Sequence, residues 1–215
     1  MKNFKRLKIS RIFVILTLLA IFILISAISY VDAVSNNISD SVFRLHVIAN
    51  SDSEEDQTLK LKVRDNLLEY MNTIAKDSTN KEEAMRIASE HKNEFIQIAE
   101  KTIRENGYEY TVNIQIGKAD FPTKYYGDIT LPAGEYDALK VEIGEAKGKN
   151  WWCVMFPPLC FVDVSTGIVP DNSKQELKQS LDNEEYDLIS KTDNNEISFK
   201  FKIVELFQNW RLGNK

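Results

Sequence analysis

The stretch Asn150-Trp151-Trp152-Cys153-Val154-Met155-Phe156-Pro157-Pro158-Leu159-Cys160-Phe161-Val162-Asp163 constrains this chain more than any other. It holds both cysteines, two of the three tryptophans and an adjacent pair of prolines. Burying apolar area is worth roughly 25 cal/mol per Å², so rings in this number are rarely spent on an ordinary surface loop. The stretch is therefore either the middle of a core or a face made for a partner. Composition does not separate the two. Pro-Pro in its centre predicts a reversal between two extended arms.

The front of the chain is a separate piece. Lys2, Lys5, Arg6, Lys8 and Arg11 form a basic head, and Ile12 to Val31 carries no charge. As a helix, about 20 residues would measure about 30 Å, the thickness of a hydrocarbon core. A basic head before an apolar run is an export signature. Residues 1–33 are thus expected to be a signal peptide or an N-terminal membrane anchor, with the basic head cytoplasmic and the rest outside. Small residues near Ala27 and Ala33 allow cleavage; the length of the run favours a retained anchor. Residues 34–41 read as a polar linker and 42–212 as the exported domain.

Charge divides the same way. The chain has 27 basic and 32 acidic side chains, and the first 33 residues take five of the former and one of the latter, leaving 22 against 31, or −9, for the remainder. So acidic a domain is a poor partner for nucleic acid or anionic lipid, and no basic patch with interleaved aromatics is present.

Within the domain, Phe43, Leu45 and Val47 alternate with Arg44 and His46 as in a strand. Ser53 with Asp56 resembles a capping box. Leu59, Val63, Leu67, Met71 and Ile74 then give one helical stripe to about Lys76. A second helix is predicted from Lys81 to Glu105, with His91 on its apolar face and Asn106-Gly107 as its stop. Alternation returns at Tyr108–Ile116 and again at Tyr136–Ile143, and the Trp-Trp-Cys arm reads as a strand. Residues 121–127 read as extended and irregular, and Leu131-Pro132-Ala133-Gly134 as a turn. Residues 171–195 are polar, with a weak helix near Ser173–Asp182, and the pattern from Ile197 to Trp210 favours a C-terminal helix. The order β-α-α-β-β-β predicts an α+β domain: an antiparallel sheet with two helices on one face, preceded by the transmembrane or signal helix.

Several residues can be weighed for chemistry. Cys153 and Cys160 are separated by six residues. A reversal between them would set them opposite one another, and in an exported domain such a pair invites a disulfide, stabilising by about 2.5 kcal/mol through loop closure. Two free buried thiols are the alternative. Two Cys with His46 and His91 match zinc by ligand type but not by spacing. A Cys–His nucleophile would need a meeting that no motif predicts; an exported thiol or zinc hydrolase of the envelope is the alternative function. No metal site, cofactor or small-molecule substrate is evident. Arg44, His46, Asn50, Ser51 and Asp52 form a polar group at one strand end, readable as turn chemistry or as a contact surface.

Arg44-Leu45-His46-Val47-Ile48-Ala49-Asn50-Ser51-Asp52, Gln57 to Asp65, Phe121-Pro122-Thr123-Lys124-Tyr125-Tyr126-Gly127, Leu131-Pro132-Ala133-Gly134-Glu135-Tyr136 and Asn150 to Asp163 together resemble the stage II sporulation protein R family of endospore-forming bacteria. The resemblance covers about residues 42–164. It implies a signalling protein and no enzyme: one made in the forespore and exported into the space between forespore and mother-cell membranes. There it would trigger a membrane-embedded, aspartic-type protease that processes the precursor of sigma-E. The family supplies no mapped contact surface. Arg44, His46, Asn50, Asp52, Trp151, Trp152, Pro157 and Pro158 are the candidate partner contacts, with Cys153 and Cys160 the candidate disulfide.

Overall fold

A computed structural model describes residues 2–159, 169 and 171–190. The chain begins with α1 (Lys2–Ser41) and continues through β1 (Phe43–Ile48), α2 (Glu54–Ile74), α3 (Lys81–Glu90), α4 (Lys92–Glu105), β2 (Val112–Phe121), β3 (Lys124–Tyr126), β4 (Ile129–Leu131), β5 (Gly134–Ile143), β6 (Asn150–Phe156), α5 (Asp171–Ser180) and α6 (Asn183–Ser190). The α+β class stands. The expected C-terminal helix at 197–210 and the second arm of the Trp-Trp-Cys stretch lie outside the described residues.

The sheet corrects the expected topology. Four strands run in the order β2-β5-β1-β6, and β1 lies parallel to β5 while β6 and β2 are antiparallel to their neighbours, so the sheet is mixed. Alternation reveals a strand but not the direction of its neighbour. The chain leaves β1 through three helices and returns at an edge, β2. Its antiparallel turn into β5 then runs β5 alongside β1.

Phe43, Leu45 and Val47 of β1 pair in register with Asp137, Leu139 and Val141 of β5. These residues face the helices, and Leu59, Val63, Leu67 and Met71 of α2 with Phe95, Ala99 and Ile103 of α4 complete that core. The predicted second helix is two. Its break falls at His91, whose backbone caps α3 (N–H to Ile87 O, 3.0 Å) while its ring nitrogen Nδ1 meets the Tyr70 hydroxyl at 2.9 Å. Half-buried at this joint, His91 does not lie on a continuous apolar face. The stop at Asn106-Gly107 is as expected, Gly107 taking φ +86°.

On the opposite face of the sheet the segment expected to be irregular forms a second, two-stranded sheet, β3 with β4. Its apolar residues Ile129 and Leu131 are buried. Residues 171–190 are more helical than their polarity suggests. Buried Leu177, Leu181 and Ile189 supply the apolar positions, and Lys174 bonds Asp128 beyond β3 at 2.8 Å.

Residues 34–41 are not a linker. They are the last turns of α1, with Ser35, Ile38 and Ser39 buried, Asn37 Nδ2 donating to Glu185 at 2.7 Å, and Asp40 within 4.0 Å of Lys81 and 3.8 Å of Lys118. Two well-spaced apolar residues, Ile38 and Val42, suffice to seat this turn, too few to register as a stripe. Among the described residues no helix is long and apolar enough to cross a membrane. The described side chains from Ile12 to Ser26 are exposed.

Candidate functional site

The polar group Asn50-Ser51-Asp52 makes hydrogen bonds within the fold, with Asn50 and Ser51 half-buried and Asp52 exposed. Asn50 Nδ2 and Ser51 Oγ both donate to Asp56 Oδ2, at 2.8 and 2.6 Å. The Glu145 N–H donates to Asn50 Oδ1 (3.0 Å), the Lys149 N–H to Asp52 Oδ1 (2.6 Å), and Gln57 Nε2 to Ser51 O (2.9 Å). The loop after β1 is thereby knitted to the β5–β6 loop. Gly148 permits the approach: a Cβ there would stand 2.6 Å from the Ser51 carbonyl carbon. Ser53 caps α2 by accepting from the Asp56 N–H (3.2 Å), but the Asp56 carboxylate turns to Asn50 and Ser51, so the box is not reciprocal. Burial opposes ionisation of Asp56; the hydrogen bonds from Ser51 and Asn50 outweigh it and hold its pKa below the usual value.

Arg44 and His46 lie on the face of the sheet away from the helices. Arg44 is fully buried. Its guanidinium sits 4.0 Å from the Phe121 ring centre and 4.6 Å from that of Tyr136, and Nη2 donates to the Tyr126 hydroxyl at 2.8 Å. Tyr126 in turn donates to the Trp152 carbonyl (3.2 Å), tying β3 to β6. His46 stacks on Trp152 (5.5 Å, 19°) and meets Phe121 edge-on. Its Nε2 donates to Asn150 Oδ1 at 2.7 Å, since that oxygen can only accept. The Lys124 ammonium stands 4.2 Å over the Trp152 ring. Burial lowers the His46 pKa, with Lys140 and Arg44 adding to the effect and Asn150 and Glu142 opposing it. Burial likewise lowers that of Lys124, with Arg44 nearby.

The two tryptophans of the central stretch take opposite faces, as adjacent strand residues must. Trp152 joins the stack just described; Trp151 faces the helices, with Arg64 of α2 4.2 Å over its ring. Both are half-buried. The Phe156–Pro157 peptide is cis. Pro157 is buried and Pro158 half-buried, its carbonyl accepting from Ser173 Oγ of α5 (2.7 Å), so the Pro-Pro turn is braced and not a free tip.

Of the thiol and zinc constellations, little assembles. Cys153 is buried on the helix-facing side of β6 opposite Leu45, whereas His46 projects from the other side. The described pair therefore cannot form a dyad. His91 lies among the helices. No cluster of three or more His, Cys, Asp or Glu suited to a metal occurs among the described residues. Cys153 is disulfide-bonded; the other cysteine, Cys160, lies outside the described residues.

A cleft of about 450 Å³ opens between the end of α1, the start of α3 and α5, lined in part by Asp40, Asn80, Lys81, Phe156 and Glu176. Lys81 of its lining donates to Asp137 at 2.7 Å, and Lys118 donates to the same carboxylate at 3.2 Å. Burial opposes its charge, but the two ammonium groups outweigh burial and hold the pKa below the usual carboxylate value. Sequence reasoning missed this network: an Asp on the buried side of β5 was its one available sign.

Fold and face together define a class: a mixed-sheet α+β domain, helices on one side, a cation–aromatic stack under a small hairpin on the other. The family model for stage II sporulation protein R matches residues 39–166, and the chain belongs to that family. It is 44% identical over 130 residues, 60% of this chain, to stage II sporulation protein R of Bacillus subtilis (strain 168), and the match spans 58% of that relative's length. No solved structure matches the chain.

Proposed function

We propose that this protein is an exported sporulation signal that activates the membrane-embedded aspartic-type protease processing the sigma-E precursor in the mother cell. The observation that carries the reading is the family match over residues 39–166, which begins at the turn of α1 seated in the domain and covers the whole four-stranded sheet. The charge-free sequence from Ile12 to Val31 behind a basic head supports export from the forespore and a place in the intermembrane space, either membrane-anchored or released. The site of action is outside the cytoplasm, and this suits a Cys153–Cys160 bridge. Activation requires that the domain bind the active state of the protease more tightly than the inactive one.

The contact surface we assign to the protease is the partly exposed side of β6: Trp152, with His46 and Lys124 beside it, and the braced Pro157-Pro158 turn. Co-expression of the full chain, the protease and a precursor substrate in a non-sporulating host tests the reading. Precursor cleavage that depends on this chain is the expected result, reduced by Trp152→Ala more than by Trp151→Ala. Cleavage that is the same with and without the chain would overturn the proposal.

A further inference from the structure

On the sheet face away from the helices, hydrogen-bond donors and positive charge exceed what the fold can answer. Arg44 is fully buried, yet Nε and Nη1 have no acceptor among the described residues, and Nη2 donates to a neutral hydroxyl, that of Tyr126. The buried indole nitrogen of Trp152 has no acceptor among the described residues. Lys124 has no carboxylate within ion-pair distance among the described residues; its ammonium lies over Trp152. Glu142, the acid that acts on His46, is already taken by Lys140 at 2.6 Å and Asn113 at 2.8 Å. Buried donors are nearly always matched, and a buried charge is ordinarily paired. Lys124, Trp152 and His46 stack in turn and Phe121 links His46 to Arg44, in a domain whose net charge beyond residue 33 is −9.

We propose that the stack of Arg44, His46, Trp152 and Lys124 is a carboxylate-recognition site, whose occupant is an acidic side chain of a partner polypeptide. It rests on the reading of this chain as a protein ligand and names the chemistry its partner must offer. A carboxylate fits better than a phosphate dianion, because the site is partly desolvated and a single charge loses less hydration. Trp152 and Lys124 are half-exposed, so the mouth lies between them. Lys124 is a flexible arm; its rotation uncovers the indole without opening the β3–β4 hairpin. The entering carboxylate accepts from the Lys124 ammonium and the Trp152 N–H. Arg44 beneath supplies fixed positive charge and acts as a positioning residue.

The experiment uses the full chain in dodecyl maltoside, labelled with ¹⁵N at the tryptophan indoles and assigned with Trp→Phe variants. A short peptide containing Asp and Glu, its Asn/Gln counterpart, and inorganic phosphate are titrated at constant ionic strength. The acidic peptide should move the Trp152 indole resonance saturably, and the amide counterpart should not. Trp151 is the internal control: its indole nitrogen also has no acceptor and it too has an arginine over its ring, but it lies on the other face. Lys124→Glu, at a half-exposed position, should weaken the titration by at least about tenfold. A Trp152 resonance fixed to the acidic peptide, an equal response at Trp151, an unaltered titration in Lys124→Glu, or tighter saturation by phosphate would each overturn the proposal. No protease is present, so a silent titration beside intact precursor cleavage removes this site alone, and a saturable titration without chain-dependent cleavage removes the proposed function alone.

Discussion

Replacing Arg44 with Met separates a residue kept for stability from one kept for recognition. A guanidinium held away from water loses several kcal/mol of hydration. Against this stand two ring contacts, at 4.0 and 4.6 Å, worth up to about 2 kcal/mol each when desolvated, and one charge-assisted hydrogen bond to Tyr126, worth about 1.5–3 kcal/mol. The two sides nearly cancel. Methionine fills the same space as the arginine stem, keeps favourable sulfur–ring contacts, and leaves the Tyr126 hydroxyl bonded to the Trp152 carbonyl. Arg44→Met is therefore expected to be neutral or up to about 1 kcal/mol more stable, a rise in Tm of up to about 4 °C for a chain of this size. Arg44→Ala should instead lose about 3–5 kcal/mol, because it leaves a cavity between two rings. Urea denaturation of the full chain in neutral detergent, followed by tryptophan fluorescence, measures both. A loss above about 2 kcal/mol in Arg44→Met would refute the reasoning, since Arg44 would then be holding the sheet together and its unmatched donors would need no ligand.

Gly148→Ala should cost about 3 kcal/mol or more, since the new methyl group meets the Ser51 backbone, whereas Gly117→Ala, with nothing within 4 Å, should leave urea stability within about 0.5 kcal/mol. The Asp137 carboxylate titrates below its usual 3.8 in the folded protein, so its contribution is present above that pH and is lost as pH falls through the folded value. Asp137→Asn should flatten the acid limb of a stability–pH curve below about pH 4. His46 has the same sign in a higher window: its folded pKa lies below 6.5, the unfolded chain binds the extra proton, and stability falls as pH drops under 6.5 towards the folded value. His46→Gln should remove that slope in thermal melts taken across the interval.

Much of this protein is legible in one dimension. Period-two alternation marked β1, β2 and β5, and the 3.6-residue stripe of Leu59, Val63, Leu67 and Met71 marked α2. These signals arise because each element buries one face, so they survive without knowledge of the neighbour. The break at His91 was hidden because Phe95 and Ala99 keep the same stripe across it. The final turn of α1 was hidden because its composition is that of a loop, and burial of Ile38 decides otherwise.

The candidate site divides along the same line. Asn50, Ser51 and Asp52 were visible as a polar cluster, but their hydrogen bonds run to Asp56, Glu145 and Lys149, the last two nearly a hundred positions away. Whether such residues face a partner or their own chain is set by those distant groups. Lys124 and Phe121 carried no local sign of joining Arg44, because the hairpin that brings Lys124 over Trp152 is too short to show a period.

By itself the sequence determined the class of the fold, the contrast between an uncharged N-terminal run and an acidic remainder, and the family. These follow from composition, local periodicity and motif, which are properties of neighbouring residues. The tertiary structure alone decided that β1 runs parallel to β5, that Trp151 and Trp152 serve different faces, and that Arg44 is buried with no acid paired to it among the described residues. Strand direction, facing and charge pairing are relations between segments far apart in the chain, and only packing brings those segments within reach of one another.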